Sequence, residues 1–172
     1  MTFPRKDLCS GKIIIAPLLG GILVTAAVTF IYLLDQISKH IVLLKMNEGE
    51  SYSLVNGIFH LTFVHNTGGA FGIMKGYPHI FTAAAILFTL LALIYIYFRW
   101  FLIPLRDKLA ICLIIGGTLG NLADRVKLGY VIDFLDFRIW PVFNLADSFI
   151  TVGAGLLIFS LLLPARSRGK CA

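Results

Sequence analysis

GGTLGNLADRVKLGYVIDFLDFRIWPVFNLADSFITVG, residues 116–153, is the stretch on which the reading of this chain turns. Two apolar segments flank a short connection. The tetrapeptide Asn-Leu-Ala-Asp marks both junctions, as Asn121 to Asp124 where one segment ends and as Asn144 to Asp147 where the next begins. Between them lie Asp133 and Asp136. Carboxylates at the ends of apolar helices are costly, so each one is a functional candidate by default.

Working outward, the rest of the chain reads as a membrane scaffold for these groups. Of its 172 residues 58% are hydrophobic, and the mean hydropathy is +0.88. Soluble domains are nearer 45–50% apolar. Uncharged runs of about 20 residues each cross a bilayer. The expected spans are 13–34, 78–98, 109–124 and 144–163, in a single integral membrane domain covering 1–172. The formal charge of +6 sits in loops and tails, which suits orientation and membrane lipids and argues against nucleic acid. Cys9, Cys112 and Cys171 have no metal spacing and no disulfide framework. No cofactor or metal is expected.

Between the first two spans, residues 45–76 read as an extracytoplasmic β region. Ser51–Val55 and Ile58–His65 are strand-like, joined by Asn56-Gly57, a strong hairpin signal. The glycine-rich Asn66-Thr-Gly-Gly-Ala-Phe-Gly72 follows, suited to close backbone approach. Asp35 and Lys39, at i,i+4 beyond the first span, suit a weak ion pair; the bland reading is an interfacial anchor. Gly116, Gly117 and Gly120 form a small-residue face for helix packing. Nine basic residues on the side of the termini, against six on the other, place both termini in the cytoplasm.

The chemistry is read from the aspartates. In each tetrapeptide repeat Asn and Asp stand at i,i+3 and share a helix face. Asp147 begins a helix, where the macrodipole favours a carboxylate. Asp133 lies in the extended or amphipathic Val131-Ile-Asp-Phe-Leu-Asp-Phe137, whose apolar groups would keep its proton on. One anionic and one protonated carboxyl are what an aspartyl dyad needs. Asp136 is better explained by its neighbour Arg138 as a surface or flap charge, and Asp124 as a group positioning Arg125 and the end of the third helix. Phe134, Phe137, Ile139 and Trp140 suit an interfacial flap or, equally, a plain surface anchor. Ser38-Lys39 is a poor catalytic pair because adjacent helical residues diverge. No His-Glu-x-x-His is present. On the residues alone, a small proton- or ion-coupled transporter remains the alternative, since intramembrane carboxylates also relay protons. A structural membrane subunit would not need so many charges at helix ends.

Five motifs together resemble the bacterial lipoprotein signal peptidases, the type II signal peptidases. They are Asp35-Gln36-x-x-Lys39, Asn66-Thr-Gly-x-Ala-Phe-Gly72, Gly120-Asn121-x-x-Asp124-Arg125, Val131-x-Asp133-Phe134 and Phe143-Asn144-x-Ala146-Asp147-Ser148. Gly69 stands where that family usually has alanine. The resemblance implies an all-α membrane protein of four transmembrane helices with a small β-structured cradle, in the bacterial inner membrane. It implies an aspartyl endopeptidase with Asp133 and Asp147 catalytic. It further implies that Asn66, Asn121, Arg125 and Asn144 contact substrate or position the site, with Asp35, Lys39 and Asp124 supporting. The implied substrate is a diacylglyceryl-modified prolipoprotein cut before its lipidated cysteine, near the outer leaflet. Globomycin-type cyclic peptides would inhibit it, and a monomer is expected.

Overall fold

The computed structural model describes residues 12–69, 78–99 and 102–162, with side chains from residue 20 onward in the first helix and from residue 79 in the second. Four helices, α1 (Lys12–Lys45), α2 (Pro78–Arg99), α3 (Leu105–Leu128) and α4 (Leu145–Leu162), are long and apolar enough to cross a membrane. Strands β1 (Ser51–Val55), β2 (Phe59–Asn66) and β3 (Val131–Asp136) form an antiparallel sheet in that order. The tail of the glycine-rich stretch from Ala70, Trp100, and the basic terminal segments lie outside the described residues.

Helix α3 is the hub. It packs against α1, α2 and α4, and half of its most apolar window is buried, against 11–17% in the other three. Its glycines make this possible, as the small-residue face led one to expect. A Cβ at Gly116 would lie 2.7 Å from the Ile31 side chain of α1. One at Gly117 would collide with the Ala146 carbonyl oxygen of α4, and one at Gly120 with the Asp35 carboxylate. Outward-facing leucines, isoleucines and aromatics cover the bundle, as a lipid-facing surface requires.

Two helices run past their apolar stretches. Helix α1 continues eleven residues beyond Leu34, and α3 five beyond Ala123. Each extension turns only a few residues inward, Asp35, Lys39 and Val42 on α1 and Asp124 on α3, while most of its other side chains stay exposed. Gly129 ends α3 with a left-handed φ of 83° and an N–H bond to the Arg125 carbonyl, a common helix stop.

The hairpin forms around Asn56-Gly57, with Gly57 at φ 73°. The extended reading of residues 131–136 is the one realised: β3 pairs with β2, and Asn66 lies opposite Val131. An extra residue in β2 between Leu61 and Val64 shifts the register. Ile132 and Phe134 pack into a core with Phe63, Val42 and Met46, which anchors the sheet on the end of α1. Phe134 therefore belongs to the core and is no part of a flap. Val131 and Asp133 line a cavity instead.

Candidate active site

All nine residues singled out from the sequence gather where the sheet meets one end of the bundle. At the bottom lies a buried polar core. Lys39 Nζ is 2.8 Å from Asp35 Oδ2, 2.8 Å from Asp124 Oδ2 and 2.9 Å from Asn121 Oδ1. Asp35 and Lys39 are 0% and 1% exposed, so the expected weak interfacial pair is in fact wholly enclosed. Such a group is tolerable only because each polar atom finds a partner. Asp35 Oδ1 accepts the Ala146 N–H at the start of α4 at 2.9 Å. Gln36 Nε2 donates to Asp124 Oδ1 at 2.9 Å and to the Gly120 carbonyl at 3.3 Å. The Ile132 N–H reaches Asp124 Oδ2 at 3.3 Å, tying β3 to α3.

Asp124 thus holds Lys39, Gln36 and β3, and not Arg125 as expected. Adjacent residues on a helix point apart. Arg125 instead points toward the cavity, donating to the Gly68 carbonyl at 3.4 Å and lying 5.4 Å above the Phe81 ring of α2. Gln36 bridges α1 and α3, a role that its place beside Asp35 in the sequence does not reveal.

Above this core the two candidate catalytic carboxylates are fixed by asparagines. Asn144 caps α4: its Oδ1 accepts the Asp147 N–H at 2.9 Å. That bond turns its amide nitrogen toward Asp133 Oδ1, at 2.7 Å, with a second contact to Asn121 Oδ1 at 3.1 Å. Asn66 is locked in the same way. Its Oδ1 accepts the Gly68 N–H at 2.9 Å, and its Nδ2 donates to Asp133 Oδ2 at 2.8 Å. Asn121 passes the buried core's order upward, since its Oδ1 faces Lys39 and its Nδ2 donates to Asp147 Oδ1 at 2.7 Å. Asp133 and Asp147 are thereby held on facing elements, one on a strand and one in the first turn of a helix.

Asp133 is 1% exposed. Burial, reinforced by the negative charge of Asp147, pushes its carboxyl up to about 7, despite the opposing bonds from Asn66 and Asn144 and the charge of Lys39. It therefore holds its proton to a higher pH than an ordinary carboxyl, as its apolar sequence neighbours suggested.

Asp133, Asp147, Asn66, Asn121 and Arg125 share one cavity of about 640 Å³. Its far wall is the β3–α4 loop, with Phe137, Ile139, Trp140 and Pro141, and its floor runs along Ile150 and Thr151 of α4. Besides the two carboxylates and the asparagines, Arg125, Ser148 and Thr151 are polar, and the rest of the lining is mostly apolar. Asp136 stands apart from it, bonded to Thr62 at 2.7 Å and to the Arg138 N–H at 2.8 Å. It is 5% exposed, which removes the surface alternative and leaves a charge at the base of the β3–α4 loop, beside Arg138 as expected. Burial pushes Asp136 up, but these bonds and the Arg138 charge outweigh it and leave the group below the usual carboxylate range.

Four apolar helices, a small sheet, and two carboxyls lining one cavity define a membrane-embedded aspartic hydrolase. The chain belongs to the signal peptidase II family, the lipoprotein signal peptidases: residues 27–163 match the model of "Signal peptidase (SPase) II". It is 46% identical over 143 residues to the lipoprotein signal peptidase of Halothermothrix orenii, covering 81% of this chain and 94% of that one. The corresponding protein of Moorella thermoacetica is 43% identical over 139 residues, 80% of this chain and 91% of that one. A solved bacterial membrane enzyme, determined by the in meso method at 2.3 Å, superposes with a TM-score of 0.75 at 35% identity, covering 81% of this chain and 87% of that one. The protein is a multi-pass membrane protein of bacterial type and an aspartic peptidase.

Proposed function

We propose that this peptidase removes the signal peptide from diacylglyceryl-modified prolipoproteins by cutting just before the lipidated cysteine, with Asp133 and Asp147 as its catalytic pair. The observation that carries this reading is the pairing of a carboxyl near 7 with a second carboxyl in one cavity. Asp147 is the base. It takes a proton from a water that attacks the scissile carbonyl carbon, while protonated Asp133 gives its proton to the carbonyl oxygen. A gem-diol forms without a covalent intermediate. Its collapse breaks the C–N bond as Asp147 passes its proton to the leaving cysteine nitrogen and a gem-diol hydroxyl returns one to Asp133. Both carboxyls end as they began.

Arg125 and Asn66 suit donation to substrate carbonyls beside the pair, because both line the cavity. Asn121 and Asn144 act by orienting the carboxyls. Asp35, Lys39 and Asp124 support them from below. The apolar remainder of the cavity suits a lipidated, mostly apolar segment, and globomycin-type cyclic peptides would compete for it. The protein acts as a monomer, since one chain contributes both carboxylates.

The site faces the outer leaflet, and both termini are cytoplasmic. Four crossings put the start of α1, the α2–α3 connection and the end of α4 at the bundle end opposite the sheet, and the basic residues concentrate there. Labelling single cysteines in intact cells from outside should modify Lys127→Cys and spare Lys108→Cys; the reverse pattern would invert the topology.

The function itself is tested by incubating the purified protein with a synthetic prolipoprotein carrying the diacylglyceryl thioether, then weighing the products. Two fragments should appear whose masses sum to substrate plus one water, the larger-lipid fragment beginning at the modified cysteine. The unmodified precursor should survive. Equal cleavage of both, or of neither, would refute the assignment.

A further inference from the structure

The β3–α4 loop walls the cavity, yet nothing in the mechanism above explains what holds it. The Leu135–Phe143 bridge ties its two ends together, while Ile139 at its tip is 95% exposed. The loop begins with a tight reversal. The Ile139 N–H donates to the Phe137 carbonyl at 2.7 Å, and between them Arg138 has φ 64°. This is a γ-turn of positive φ, which is rare and strained for a residue with a Cβ. Glycine would take this conformation freely. The side chain at this position therefore has to offset the strain it introduces.

It does so by touching every strand of the sheet. Arg138 Nε donates to His60 Nδ1 of β2 at 3.1 Å, and Nη2 to Ser51 Oγ of β1 at 3.2 Å. Nη1 lies 3.5 Å from Asp136 Oδ2 at the end of β3, while Asp136 Oδ1 accepts the Arg138 backbone N–H at 2.8 Å. Counting protons gives the set a direction. Thr62 Oγ1 spends its hydrogen on Asp136 Oδ2 at 2.7 Å. The 2.8 Å contact between Ser51 and Thr62 must then be donated by Ser51, which leaves Ser51 Oγ to accept from Arg138. The donor chain runs Arg138 to Ser51 to Thr62 to Asp136, and Arg138 also donates directly to Asp136, which closes the circuit. His60 must present a lone pair at Nδ1, so its ring proton is on Nε2. Beside the circuit, Phe137 packs against Phe59 at 4.7 Å and stacks on Phe143 at 5.9 Å between ring centres.

We propose that Arg138 is a positioning residue that clasps the β3–α4 loop to the sheet, and so sets the cavity wall against which the substrate is held. An isolated exposed Arg–Asp pair would contribute little. Here the guanidinium closes a ring across three strands and stabilises a strained turn two residues from Trp140. This rests on the reading of the cavity as the substrate site. Because Arg138 itself does not line the cavity, it acts on binding through the loop and leaves the carboxylates alone.

The test uses full-length enzyme with Trp100→Phe, so that Trp140 is the sole tryptophan. Arg138→Ala, Arg138→Gly and Arg138→Lys are compared for KM and kcat on the lipidated prolipoprotein peptide, and for acrylamide quenching of Trp140. Alanine and glycine should raise KM about tenfold, the size of one lost charge-assisted bond, with kcat within a factor of about two. Trp140 should become more open to quencher. Lysine should fall between, keeping charge but not the fork that spans His60 and Ser51. Glycine is decisive: if backbone conformation alone mattered, it would equal or better the wild type. Ser51→Ala should reproduce part of the KM effect and add little to Arg138→Ala. Wild-type KM or wild-type quenching in Arg138→Gly overturns the clasp. A wild-type enzyme that cleaves nothing overturns the functional reading instead, and the quenching arm still decides the clasp.

Discussion

Replacing Lys39 by methionine keeps the side chain's length and removes its charge. The lysine nitrogen contacts two carboxylates at 2.8 Å each and is 2% exposed, so water cannot substitute for it. At an effective dielectric of 20, one such pair is worth about 4 kcal/mol at 4 Å, so two give about 8 kcal/mol. Against this stands the several kcal/mol regained by no longer burying the ammonium. Asp35 and Asp124 would be left facing each other unscreened. The balance falls in the range measured for breaking a buried pair from one side, about 3–5 kcal/mol. For a chain of this size each kcal/mol moves the melting temperature by about 2–4 °C, so the midpoint should fall by roughly 6–20 °C. Cys112, 3% exposed in α3, reports unfolding directly. In a Cys9→Ser, Cys171→Ser background in detergent, a thiol-reactive dye should label it only as the bundle opens. The double variant Lys39→Met, Asp124→Asn should recover at least half of the loss. A shift below about 2 °C for Lys39→Met, or a double variant no better than the single, would refute the charge accounting.

Two further outcomes follow from geometry and titration. Gly117→Ala would push a methyl into the Ala146 carbonyl, backbone that cannot give way, and should destabilise by about 1–3 kcal/mol and separate α3 from α4; Gly155→Ala, with nothing within 4 Å, should match wild type in the same thiol-labelling melt. Asp133 in the folded protein titrates at about 7, above its ordinary 3.8, so the folded state holds this proton more tightly. The resulting stability is fully present below about pH 4, is lost as pH rises through 7, and amounts to about 4 kcal/mol. Melting midpoints measured from pH 5 to pH 9 should slope downward for wild type and lie flatter for Asp133→Asn; equal slopes would contradict the assignment.

How much of this was legible depended on whether the cause was local. Four apolar runs, the Asn56-Gly57 turn and the small face of α3 act over a few residues, and each was readable. The carboxylates and asparagines could be nominated because polar groups at apolar helix ends are costly. Their partnerships could not. Asp35 and Lys39 look like a surface pair until Gly120 opens a notch in α3 that receives the Asp35 carboxylate. Asp124 looked tied to its neighbour Arg125 because adjacency is visible, whereas Lys39 lies 85 positions away. Val131–Asp136 lacks strand alternation because nearly all of it is buried, and the irregular register of β2 cannot be read from β2 itself. Phe134 and Phe137 look alike in sequence, but one sits in the core and the other against the loop. The Arg138 circuit joins residues 51, 60, 62, 136 and 138, and only the assembled sheet brings them together.

The central claim is that Asp133 and Asp147 share the chemical step while Asp124 and Asp136 hold structure. Initial cleavage rates of Asp133→Asn, Asp147→Asn, Asp124→Asn and Asp136→Asn, each normalised to inserted protein, test it most directly. General acid–base assistance is worth about 10²–10⁴-fold, and the two members act as a unit. Asp133→Asn and Asp147→Asn should each lose at least that factor, with the double variant little worse than either. Asp124→Asn should lose part of its activity along with stability, and Asp136→Asn should keep most of its kcat. Turnover near the wild-type rate in Asp133→Asn or in Asp147→Asn would contradict the account.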